Sequence, residues 1–80
     1  MGKYRRFIFE KMLRHGYVGG SHTNIENIPK GKPMGEYREI MAEAKDLLKE
    51  GYFIPMRKPD GLHISLNPRR LKEIGKELES

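Results

Sequence analysis

Pro29-Lys30-Gly31-Lys32-Pro33 interrupts the chain between Ile28 and Met34, and no α-helix crosses it, because each proline removes a helical donor and clashes with the preceding turn. It ends whatever helix precedes it, and the most regular helical pattern follows it. That pattern is Gly35 to Glu50. At 100° per residue its side chains fall into three sectors. Tyr37, Ile40, Met41, Ala44, Leu47 and Leu48 form an apolar sector, Arg38, Ala42, Lys45 and Lys49 a basic stripe, and Glu39, Glu43, Asp46 and Glu50 an acidic one. Gly51 supplies the left-handed residue that closes the helix.

Upstream, residues 3–15 contain no Gly or Pro, and Tyr4, Ile8, Phe9, Met12 and Leu13 share one face, which predicts a first helix stopped by Gly16. Phe7 falls on its polar side. After the loop Gly19-Gly20-Ser21-His22, the run Thr23-Asn24-Ile25-Glu26 reads as a capping box and predicts a short second helix over 23–28, with Ile25 and Ile28 inward.

Downstream, residues 52–66 read as a hairpin around Lys58-Pro59-Asp60-Gly61. A three-residue loop with a glycine bulge sets Ile54 and Met56 on the face of Ile64 and Leu66. A two-residue loop sets Pro55 and Arg57 there instead. The alternation favours the bulged register, with Phe53, Arg57 and His63 outward. Asn67 and Pro68 then start a final helix over 68–78 carrying Leu71, Ile74 and Leu78.

With 80 residues the chain makes one small domain, 1–80, which favours a binding module over an enzyme. Leu, Ile, Val and Phe number 18, enough for a folded core, though a core of this size supplies only roughly 3–5 kcal/mol. The absence of cysteine excludes disulfides and thiolate metal sites. No apolar run is long enough to cross a membrane, and a cytoplasmic, nucleoid-associated protein is expected. His15, His22 and His63 lie in three different elements without metal-site spacing, so neither a metal nor a cofactor is expected. Ser21 beside His22 lacks the orienting group of a catalytic pair. Lys30-Gly31-Lys32-Pro33 lacks the spacing of a phosphate loop.

The order of elements resembles the winged helix-turn-helix domain, in particular the small winged-helix proteins common in archaea. The resemblance rests on the capped segment Thr23-Asn24-Ile25-Glu26-Asn27-Ile28, the long helix Gly35 to Glu50, and the wing from Gly51-Tyr52-Phe53-Ile54-Pro55-Met56 to His63-Ile64-Ser65-Leu66-Asn67-Pro68. It implies an α+β, mainly helical fold: a three-helix core, a two-stranded hairpin wing and a C-terminal helix. It also implies a small transcriptional regulator of double-stranded DNA, with the third helix in the major groove and the wing on the backbone, commonly as a homodimer.

On that arrangement the nucleic-acid-binding residues are Lys30, Lys32, Arg38, Ala42, Lys45, Lys49, Arg57, Lys58 and His63. Phe7, Leu71, Ile74 and Leu78 are the expected dimer contact. Arg5, Arg6, Arg69 and Arg70 are expected off the DNA face, decorating the surface or flanking a dimer contact. Charge placement complicates this picture. Residues 1–34 carry seven basic and two acidic side chains, whereas residues 35–51 carry three and five, and phosphate binding needs cations on the groove-reading helix. The expectation is that the basic stripe faces DNA and the acidic stripe turns away. The alternative is a protein-interaction module in which the acidic stripe and Phe7 meet another chain.

Overall fold

A computed structural model describes residues 2–80. In chain order it contains α1 (Lys3–His15), β1 (Thr23–Asn24), a 3-10 turn (Ile25–Asn27), α2 (Met34–Lys49), β2 (Phe53–Lys58), β3 (Gly61–Leu66), a 3-10 turn (Pro68–Arg70) and α3 (Leu71–Glu79). This is a small, mostly helical domain with an open three-stranded antiparallel sheet in the order β1-β3-β2. It is compatible with a winged-helix-type fold.

Helix α1 forms where the periodicity places it, burying Ile8, Phe9 and Met12 completely. Gly16, at φ +71°, takes the left-handed conformation that ends it. Helix α2 buries Ile40, Ala44 and Leu47 against it. Ile64 and Leu66 of β3, Phe53 of β2 and Ile74 of α3 complete the core.

The segment expected as a second α-helix is a two-residue strand followed by a 3-10 turn. The helical partner of the Ile25 carbonyl would be the N–H of residue 29, which proline lacks. Ile28 N therefore donates to Ile25 O at 3.1 Å, closing the tighter turn. Asn24, rather than Thr23, caps it, its side chain accepting from Glu26 N at 2.9 Å. Thr23 instead pairs with Ile64 in the sheet, and its hydroxyl accepts from Asn27 Nδ2. Ile25 and Ile28 are buried as expected.

The turn leaves carbonyls without helical partners, and Lys11 gathers three of them. Its ammonium donates to Asn27 O, Ile28 O and Lys30 O at 2.9, 3.0 and 2.8 Å. Burial, with Arg14 and Lys30 nearby, lowers the Lys11 pKa from its ordinary value. Replacing Lys11 by methionine keeps the aliphatic stem and removes the ammonium from the three carbonyls, of which Asn27 O keeps only a 3.4 Å bond from Lys30 N. The expected cost is about 2 kcal/mol, read as a lower urea midpoint with unchanged slope. A shift of under about 0.5 kcal/mol would remove Lys11 from this role.

The wing adopts the register that the alternation disfavours. Phe53 lies opposite Leu66, Pro55 opposite Ile64, Arg57 opposite Leu62 and Lys58 opposite Gly61, so the connection is the two residues Pro59 and Asp60. Phe53 is buried, whereas Ile54 and Met56 are each 39% exposed. Only the first residue of β2 reaches the core, so burial fixes the pairing at Phe53 and does not act on the residues beyond it. Gly61, at φ +127°, carries the backbone out of the turn. Pro55 is tolerated because β2 is an edge strand.

Candidate nucleic-acid interface

Two members of the acidic stripe, Glu43 and Glu50, are held from α1, while Glu39 and Asp46 stay exposed. Arg5 donates from Nε to Glu43 at 3.0 Å and from Nη2 to Glu50 at 2.8 Å, and the Tyr4 hydroxyl donates to Glu36 at 3.1 Å. The Glu39 and Glu36 carboxylates push the Tyr4 phenol pKa above its ordinary value. Arg5 is therefore an interior brace, a correction to its expected place on the surface. Its guanidinium lies 5.7 Å from the Tyr52 ring centroid, and that of Arg70 lies 4.2 Å from the same ring. Arg70 also donates to Glu50 O and to Glu73, tying α3 to the end of α2.

Turning three carboxylates inward leaves Arg38, Ala42, Lys45 and Lys49 exposed on the opposite side of α2. Tyr37, Arg38, Met41, Ala42 and Lys45 line an open hollow of about 480 Å³. Its floor mixes two half-exposed apolar side chains and a small methyl with two cations. Tyr37 and Met41 belong to the apolar sector of the sequence, yet Tyr37 is exposed and Met41 only partly buried against the core; the width of the sector, six residues on a helix that buries three, is the signal for this.

The other expected residues are placed as follows. Lys30 and Lys32 are exposed ahead of α2, with the Lys32 ammonium 4.8 Å above the Phe7 ring. Arg57 and Lys58 are exposed near the hairpin turn. By strand alternation Arg57 shares the face of Phe53 and Lys58 the other, so the two cations diverge.

His63 does not project freely from the wing. Its Nε2 lies 2.9 Å from Asp60 Oδ1 and its Nδ1 2.9 Å from His22 Nδ1, so both ring nitrogens are engaged. The His63 hydrogen bond holds the Asp60 carboxyl below the usual carboxylate range. His22 was missed because ligand or partner spacing along the chain carries no sign of a contact across 41 residues.

The expected dimer surface is largely used within the chain. Ile74 is fully buried, and Phe7, Leu71 and Leu78 are partly buried against the same core. Phe7 also carries the ammonium groups of Lys11 and Lys32 over its ring. Among the described residues no helix is long and apolar enough to cross a membrane.

The fold shape is broadly consistent with a winged-helix-like module, and α2 carries a basic stripe beside a partly apolar hollow. No family model matches the chain, and no curated protein matches it.

Proposed function

We infer that the chain is a binding module, not an enzyme, that recognises duplex DNA through the solvent face of α2, flanked by the wing, and acts as a small transcriptional regulator. The observation that carries this reading is the segregation of charge on α2: Arg5 and Tyr4 hold Glu43, Glu50 and Glu36, and the far side is left with Arg38, Lys45 and Lys49 around the hollow. A net acidic helix thus offers a basic stripe, with Glu39 and Asp46 exposed beside it. Arg38, near the N-terminus of α2, is suited to the paired acceptors of a guanine edge, while Ala42 permits close approach and Met41 and Tyr37 suit thymine methyl groups. Lys30, Lys32, Lys45, Lys49 and, from the wing, one of the diverging pair Arg57 and Lys58 supply phosphate contacts.

The protein-interaction alternative needs the acidic stripe free for another chain, and Glu43 and Glu50 are already bound to Arg5. The test is a fluorescence-anisotropy titration of a labelled duplex across a salt series. With five cations on phosphates, the logarithm of affinity is expected to fall with the logarithm of salt at a slope of about −4.5. No measurable binding at low salt would overturn the DNA reading.

A further inference from the structure

We propose that His22 and His63 form a binding site for a divalent transition-metal ion, with Asp60 as the carboxylate that orients His63. The two imidazoles come from different parts of the chain, one from the loop ahead of β1 and one from the middle of β3. They meet edge to face, with ring centroids 4.9 Å apart at 74° and the two Nδ1 atoms 2.9 Å apart.

The tautomers follow from the neighbours. An ionised Asp60 only accepts, so His63 Nε2 carries hydrogen, and in the neutral tautomer its Nδ1 lone pair faces His22. Two facing lone pairs need something positive between them. In the metal-free protein that is the hydrogen on His22 Nδ1. A metal ion takes the same place when His22 moves that hydrogen to Nε2, leaving the number of bound protons unchanged. The carboxylate–imidazole–metal line this creates is the usual way a protein fixes the orientation and basicity of a histidine ligand.

The site is held in advance by the sheet. Asn24 pairs with His63 across β1 and β3, and its side-chain amide donates to Asp60 O at 3.0 Å. The His63 side chain is only 15% exposed. Metal–nitrogen bonds of about 2.0–2.1 Å at a tetrahedral angle put ligand nitrogens roughly 3.4 Å apart, so the nitrogens have to part by about half an ångström and the rings to tilt until both lone pairs meet at the ion. Among the described residues no group of three or more His, Cys, Asp or Glu side chains surrounds a common point. The chain therefore provides two ligands, and water fills the open positions. Two imidazoles suit Zn²⁺, Ni²⁺ and Cu²⁺ rather than Mg²⁺ or Ca²⁺.

The site lies apart from the exposed face of α2, and its test needs no DNA. Zn²⁺ alone is titrated into the full chain labelled with ¹⁵N in its histidines. The expected result is a saturable change of the Nδ1 resonances of His22 and His63 at one ion per chain, with His15 unchanged. Mg²⁺ at the same concentrations produces none. His22→Ala is expected to abolish the change at His63, and Asp60→Asn to weaken Zn²⁺ about tenfold. If His22→Ala loses its helical circular dichroism, Asp60→Asn carries the test. Resonances of His22 and His63 that stay fixed at millimolar Zn²⁺, an equal response at His15, or undiminished binding in both variants would overturn the proposal.

Discussion

Replacing Arg38, Lys45 and Lys49 together by alanine is expected to weaken duplex binding about a hundredfold. The Arg38 pairing with a base edge is worth roughly 1–3 kcal/mol, and two lost phosphate contacts bring the sum to about 3 kcal/mol, each 1.4 kcal/mol being tenfold. The salt slope is expected to flatten by about 2, since each phosphate contact contributes about 0.9. Alanine is the best helix former and all three positions are exposed, so the fold is retained. Arg69→Ala with Lys72→Ala provides the control: both side chains are exposed, they lie at and after the turn into α3, and their loss is expected to change affinity less than about twofold. A triple variant that binds as the parent does, with the parent's slope, would remove α2 from the interface.

Removing the brace behind that surface is expected to lower stability by about as much as the loss of Lys11. Arg5→Met leaves Glu43 and Glu50 facing α1 without their cation and loses two charge-assisted hydrogen bonds. Because the Arg5 side chain is 20% exposed and that of Glu50 46%, solvent screens part of the loss. The expected destabilisation is about 2 kcal/mol, or a Tm lower by roughly 10 °C for a domain of this size. Pairing Arg5→Met with Glu43→Gln in a double-mutant cycle separates the ion pair from packing over Tyr52. Coupling of about 1 kcal/mol is expected, and coupling near zero would assign the loss to stacking alone.

How much of this was legible in the sequence depended on how far each pattern reached. Helices α1 and α2 were readable to within a residue, because 13 and 16 residues give several turns of a repeating face. The cap at Asn67 was readable for a local reason: its side chain accepts from Arg69 N, two residues on. Strand β1 has two residues, too few for any period, and its existence is decided by β3, forty residues later. The wing register failed for a related reason. Alternation assumes that a core lies along the whole strand, and here it underlies only Phe53. On the candidate interface, the basic stripe was visible on a helical wheel. Its separation from the acidic stripe depends on Arg5, whose role as a brace shows only once α1 and α2 are packed together.

The β1–β3 pairing spreads stability unevenly through the sheet. Holding Thr23 beside Ile64 closes a long chain segment, an ordering cost that grows slowly with length but is already due for the first rung. Two rungs return little against it, whereas β2 and β3 share six and are joined by a two-residue turn. The edge carrying Thr23 and Asn24 is therefore the first part of the sheet to open. In native-state hydrogen exchange its amides lose protection well before the hairpin does. Whatever clasps His22 to His63 then sets how long that edge stays closed.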